Sequence, residues 1–194
     1  MNEVYVSVDV ETDGPIPGEN SMLSIGAVAY DQHGTELAAY SVHIKELQGA
    51  HIDMHTMRWW GEHKLVWDAL HTNQVDAVSA MTEFSQWLAG LPGRPVCVAY
   101  PAGFDFTFIK WYLIKFTGTC IFGLSAIDIK TMAWAAMGGP FKHTVKYNMP
   151  AEWLAGLPAH THDALDDARE QGQLFFRIRK AIMLRMTCDD CVRG

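Results

Sequence analysis

Positive charge is scarce in this chain. Its 194 residues carry 15 Lys and Arg against 22 Asp and Glu, a formal net charge of -7. Proteins that coat nucleic acid by bulk charge need the opposite balance. That class is excluded, whereas a protein whose acids are gathered at one site is not. Long apolar runs are missing too. None approaches the roughly 20 residues that cross a bilayer, and Met1 to Val10 already carries Glu3 and Asp9. Neither a membrane span nor a secretory leader is expected, and the cytoplasm is the expected compartment. Cysteine is sparse. Cys97 and Cys120 sit in apolar surroundings and read as small buried hydrophobes. Cys188 and Cys191 form one CxxC. A structural zinc site takes four ligands and a second CxxC is lacking, so the pair reads as part of a reduced tail.

What is present is ordinary globular material, 49% hydrophobic and 19% charged, which excludes a disordered chain. One domain is expected over residues 1–186, with 187–194 as a C-terminal tail. Val4 to Val10 alternates β-branched residues and predicts a strand that breaks at Asp13-Gly14-Pro15. Met22 to Tyr30 and Glu36 to Ile44 predict two more strands around the turn Asp31-Gln32-His33-Gly34. Helical spacing follows over His55 to His71 and Val75 to Ala89, the latter with Val75, Val78, Phe84, Trp87 and Leu88 as its apolar face. Pro95 to Ala99 has the short, continuously apolar character of a buried parallel strand. Phe104 to Phe116, Lys130 to Met137 and Thr161 to Met186 predict helices, and Ser125 to Ile129 a last short strand. Three antiparallel strands followed by alternating helices and strands predict an α/β fold with a mixed sheet flanked by helices.

Acids inside apolar segments are the anomaly. Asp9 and Glu11 stand two apart on a strand otherwise made of valines, so their side chains share a face. Two such carboxylates repel unless a cation joins them. Asp105 opens an aromatic helix after the buried strand, and Asp163, Asp166 and Asp167 crowd the start of the last helix behind His162. Asp163 and Asp167, four apart, are expected on one helical face. Taken singly, each has an ordinary reading: a strand ending in polar residues, or acids that complement a helix dipole.

Taken together, Asp9-x-Glu11, Phe104-Asp105 and His162-(four residues)-Asp167 resemble the three motifs of DEDDh-type 3′–5′ exonucleases, the DnaQ-like or RNase T-like superfamily. The resemblance runs from Val4 to about Lys180. The subclass with Tyr four residues before the last Asp does not fit, because Asp163 holds that place. Ile52-Asp53, Thr56 and Trp59-Trp60 also resemble a bacterial and phage branch of RNase T-like exoribonucleases. In one respect the chain departs: Tyr100-Pro101 stands where relatives often carry His-Asn on the substrate side of the site.

The resemblance implies a ribonuclease H-like fold. It also implies two Mg²⁺ ions per site (Mn²⁺ being able to replace them), about 4 Å apart, held by Asp9, Glu11, Asp105 and Asp167. All-oxygen ligation suits such hard cations. His162 is the implied general base, with Asp163 and His160 as neighbours that could compete for metal or proton. Implied contacts to the terminal nucleotides are Thr12 and Asp13 through backbone groups, and Met22, Leu23 and Phe104 through apolar wedging or stacking. Either Trp59 or Trp60 could line the groove, with Trp60 the expected one, and Lys146, beside Lys142 and His143, could reach the phosphate backbone. Arg177, Arg179, Lys180 and Arg185 make the last helix basic, either to complement its own C-terminus or to grip a strand from a second subunit of a homodimer. The expected partner is a single-stranded 3′ end, RNA before DNA; a DNA exonuclease of proofreading or repair type is the alternative.

Overall fold

In this computed structural model the backbone is described for residues 2–192 and the side chains for residues 2–186. The Cys188–Cys191 pair therefore lies outside the residues whose side chains are described. Five strands form one mixed sheet: β1 (Glu3–Thr12), β2 (Met22–Tyr30), β3 (Glu36–His43), β4 (Arg94–Ala99) and β5 (Ile127–Asp128), in the order β3-β2-β1-β4-β5. The first three pair antiparallel, and β4 and β5 add in parallel on the other side of β1. This is the mixed α/β sheet of a ribonuclease H-like fold.

β1 lies at the centre and is buried from Val4 to Thr12. Its two faces divide by parity, as the period of a strand requires. Val4, Val6, Val8 and Val10 join the core under α3 (Ala77–Ala89) and α4 (Ala102–Thr117). Tyr5 joins the opposite core, under α5 (Ile129–Met137) and α7 (Ala164–Val192). Asp9 and Glu11, also odd-numbered, share the α7 side.

The approach of α7 depends on Gly26, which pairs with Asp9 across the β1–β2 ladder. A Cβ at Gly26 would overlap the backbone of Ala164 and Leu165. The first turn of α7 thus rests on β2 beside Asp9 because no side chain intervenes.

Several boundaries differ from those expected. The single helix expected over His55 to His71 is two: α1 (Met54–Glu62) and α2 (Lys64–Leu70), with His63 between them out of helical geometry. α3 starts at Ala77 behind the cap Asp76. Val75 instead bridges Ile44, and Val78 is exposed rather than on the apolar face. β5 has only two residues. α7 starts at Ala164 because the Asp163 carboxylate accepts the amides of Leu165 and Asp166 in the manner of an N-cap. Asp163 therefore stands in front of the helix as its cap rather than within it. At its other end α7 continues past Met186 to Val192. Two single-turn 3₁₀ helices, Phe141–His143 and Lys146–Asn148, and a short α6 (Ala151–Leu154) lie between α5 and α7.

Gly26→Ala is expected to cost about 1–3 kcal/mol, the usual penalty of overpacking. Gly103→Ala, on an α4 position with nothing within 4 Å of the added methyl, is expected to be neutral or stabilising by up to about 1 kcal/mol. Thermal unfolding of the two variants checks the opposite signs.

Candidate active site

The site lies where β1 runs out beyond its pairing with β4, which ends at Ser7 and Val98. Three elements deliver the acids. β1 brings Asp9 and Glu11; the first turn of α4, the helix that follows β4, brings Asp105; the first turn of α7 brings Asp167. All four are buried. Ligand oxygens of Asp9, Glu11 and Asp167 lie within 4.8 Å of one another. Asp105 is fixed by the Val10 amide, which donates to its Oδ1 at 3.3 Å, while its buried Oδ2 has no hydrogen-bond partner. These residues line a cleft of about 460 Å³ together with Tyr100, Pro101, Phe104, Lys146, His160, His162 and Gln171.

Burial and crowding set the electrostatics. Burial, and then the nearby charges of Asp105, Glu11 and Asp167, push the Asp9 carboxyl well above its usual range. Glu11 rises likewise from burial and from Asp167 and Asp105. Asp105 is pushed up to about 7, chiefly by burial. Asp167 goes the other way. Burial raises it, but the His160 side chain and the amides of Thr161 and His162 outweigh that and hold it below the usual range. Those contacts measure 3.0 Å from His160 Nδ1, 2.9 Å from Thr161 N and 3.0 Å from His162 N.

The turn that makes them puts His162 at a φ of 60°, a left-handed conformation in which His is one of the better-tolerated residues. Its ring stands edge-on to His160, Trp59 and His63, with centroids 4.6, 4.8 and 4.8 Å away. Burial and the neighbouring His160 lower its pKa, which leaves a neutral imidazole at neutral pH.

A cluster of this kind fits divalent cations. Three carboxylates within reach of one another, a fourth with a buried oxygen lacking a partner, and Asp9 and Glu11 pushed up by burial and then by their acidic neighbours describe anionic ligands without a counter-charge. The all-oxygen set suits hard ions.

The other expected contacts fare differently. Phe104 lines the cleft, packed 5.3 Å from Phe108, and Lys146 lines it too, although its ammonium is ion-paired to Glu170. Met22 and Leu23 are wholly buried, Met22 in the core under α3 and α4 and Leu23 against Trp60 and Leu70. Neither side chain can wedge against a base. Trp60 is buried and donates its indole N–H to the Thr12 carbonyl at 2.9 Å; its exposed neighbour Trp59 is the one that reaches His162. The backbone groups of Asp13 are spent on Ser21 and Asp53, and its carboxylate accepts the Ser21 amide, so Asp13 braces a loop. The basic residues of α7 tie other elements down. Arg177 donates to the Trp153 and Ala155 carbonyls at the end of α6, Arg185 to Ala136 at the end of α5, and Arg179 to Gln32. Arg177 and Arg185 thus complement the C-termini of neighbouring helices, and Arg179 holds the turn between β2 and β3. Sequence reasoning missed Gln171, whose amide donates to Asp9 Oδ1 at 2.7 Å. It lies one helical turn after Asp167, and that spacing was the available signal.

Residues 6–175 match the family model described as Exonuclease, RNase_T. The chain is 36% identical over 181 residues to the 3′–5′ DNA exonuclease Cap18 of Escherichia coli, covering 92% of each chain. The nuclease domain of 3′hExo, a DEDDh family member bound to rAMP, superposes with a TM-score of 0.70 at 10% identity over 92% of each chain. Escherichia coli exonuclease I in complex with a dT13 oligonucleotide gives 0.70 at 12% identity, over 95% of this chain and 43% of that one. S. pombe Pop2p, in an Mg²⁺- and Mn²⁺-bound form, gives 0.65 at 14% identity over 90% and 82%. The chain belongs to the RNase_T exonuclease family and is an enzyme of its DEDDh, 3′–5′ type.

Glu11→Gln removes one repelling charge from the cluster and leaves its shape. The metal-free variant is expected to melt higher than the parent, by about 2–4 °C for each kcal/mol of repulsion relieved. The rise in melting temperature that Mn²⁺ gives the parent is expected to shrink or vanish. Differential scanning fluorimetry with and without Mn²⁺ checks both.

Proposed function

We propose that the enzyme removes nucleotides from single-stranded 3′ ends of DNA by hydrolysis with two Mg²⁺ ions, which Mn²⁺ can replace. The observation that carries the hydrolytic reading is the convergence of Asp9, Glu11 and Asp167 within 4.8 Å beside the partnerless oxygen of Asp105. DNA leads because the 36% identical relative, matched over 92% of both chains, is by name a DNA exonuclease. RNA is the second reading. It rests on the resemblance of the Ile52-Asp53, Thr56 and Trp59-Trp60 segment to exoribonucleases, a segment that spans the start of α1 and brings Trp59 to the edge of His162.

In this reading Asp9, Glu11, Asp105 and Asp167 hold the cations, which supply the charge that activates water and offsets the developing charge on the phosphate. Gln171 keeps Asp9 turned into the site through its 2.7 Å bond. His162 takes the proton from the attacking water at its imidazole, and Trp59 and His63 wall the ring in. His160 holds the Asp167 carboxylate. Phe104, half-buried at the cleft wall, offers a face to the terminal base; stacking of this kind is worth about 1–3 kcal/mol per base and is indifferent to sequence. Every group named comes from one chain, so the reading does not require a dimer.

End-labelled single-stranded DNA and RNA of matched sequence test it. Stepwise shortening from the 3′ end is expected in Mg²⁺, none in EDTA or with Asp9→Ala, and faster loss of DNA than RNA. His162→Ala is expected to slow hydrolysis by roughly 10²-fold or more while keeping the Mn²⁺-dependent rise in melting temperature. Cleavage that survives EDTA would sink the metal reading, full activity of His162→Ala the base, and faster loss of RNA the order of substrates.

A further inference from the structure

Asp167 belongs to two clusters at once. On one side it meets Asp9 and Glu11. On the other its Oδ2 meets the His160 ring and the His162 backbone amide, and ligand atoms of these three residues also lie within 4.8 Å of one another. The second cluster is chemically unlike the first. Two imidazoles and one carboxylate form a borderline-soft, nitrogen-rich set, where the acid cluster is hard and all oxygen. His160 Nδ1 already stands 3.0 Å from Asp167 Oδ2. Ligand atoms around a tetrahedral Zn²⁺, with bonds of about 2.0–2.1 Å, are about 3.3 Å apart, and the His160–Asp167 pair already stands near that spacing. The third ligand is preset, because the left-handed turn at His162 points its ring toward His160, with centroids 4.6 Å apart.

We propose that His160, His162 and Asp167 form a second metal site, selective for borderline divalent ions such as Zn²⁺. The ion takes the place of the proton shared between His160 and Asp167 and binds the lone pair of His162. A site with two His and one carboxylate leaves a fourth position for water. Mg²⁺ meets this site only through the shared Asp167 carboxylate and leaves the two imidazoles to a borderline ion, since hard cations favour oxygen ligands. The site makes the enzyme sensitive to zinc: once coordinated, His162 has no lone pair with which to accept a proton. That consequence rests on His162 being the base; the binding does not.

The test is zinc binding by the full chain in millimolar Mg²⁺, read by competition with a chromophoric zinc indicator. The histidine ring resonances are followed in parallel by ¹H–¹⁵N NMR. One Zn²⁺ per chain is expected, with the His160 and His162 ring signals shifting on Zn²⁺ and staying put on Mg²⁺. His160→Ala is expected to weaken zinc binding at least ten-fold, and Glu11→Gln to leave it within about two-fold, as ligand and non-ligand should. The proposal is overturned if His160→Ala binds zinc as the parent does, or if Glu11→Gln or added Mg²⁺ abolishes the binding, for then zinc merely enters the acid cluster. Zinc held through His160 and His162 without slowing hydrolysis would instead overturn the role of His162 as base and leave the site standing.

Discussion

Four buried carboxylates that repel one another are the constraint on which this structure turns. Taking even one such charge out of water is costly, and taking four into one recess costs more with each. The fold meets that cost with backbone and hydrogen bonds rather than with cationic side chains. Asp105 and Asp167 sit in the first turns of α4 and α7, where the helix dipole favours an anion. Asp167 collects two amides and an imidazole, Asp105 one amide, and Asp9 the Gln171 side chain. What is left over, mainly on Asp9 and Glu11, is charge that a divalent cation can answer.

The same constraint orders the surroundings. α7 must come close enough to β1 to present Asp167, and it does so over Gly26, the partner of Asp9 across the ladder. The Asp128 carboxylate caps α5 through Thr131 and also accepts the amide of Ala102, so that the start of α4 is tied to the end of the sheet. Arg177 and Arg185 anchor α7 to the ends of α6 and α5. Cations that might have served as a basic surface are thus used to brace the helix that carries the last acid. The protein remains acidic outside its site, with 18 other acids against 15 Lys and Arg, so bulk charge cannot be what draws nucleic acid to it.

The stretch from His160 to Asp163 is where local and catalytic demands coincide. Asp163 caps α7, His162 adopts the left-handed turn, and both His160 and His162 end beside the Asp167 carboxylate. One short loop therefore positions the helix, holds the acid and carries the imidazole proposed as the base. It also places two imidazoles together, a donor set different in kind from the one a turn away.

Much of this was legible in the residues. A valine strand interrupted by Asp9 and Glu11, with side chains alternating by a period of two, determined that both acids share a face. The spacing of His162 and Asp167, with Phe104-Asp105 between the strand and the last helix, marked the remaining members. Periodicity also foretold the mixed sheet, because β1 and β2 are buried runs, and β4 is one in its second half, whose pattern is local. Contacts that depend on distant neighbours were not legible. Met22 and Leu23 have apolar side chains that suit a base-stacking surface or a core equally well, and only the closing of α1, α2 and α4 over them put them inside. Of two adjacent tryptophans, the carbonyl of Thr12 drew Trp60 inward and left Trp59 at the rim. Arg177 and Arg185 look like a basic patch until the ends of α5 and α6 arrive beneath them. The sequence by itself determined the chemistry of the site and the strand parity that aims it, because these follow from residue type and local repeat. The tertiary structure decided which aromatic, which lysine and which histidine face the cleft, because those choices are made by the packing of segments far apart in the chain.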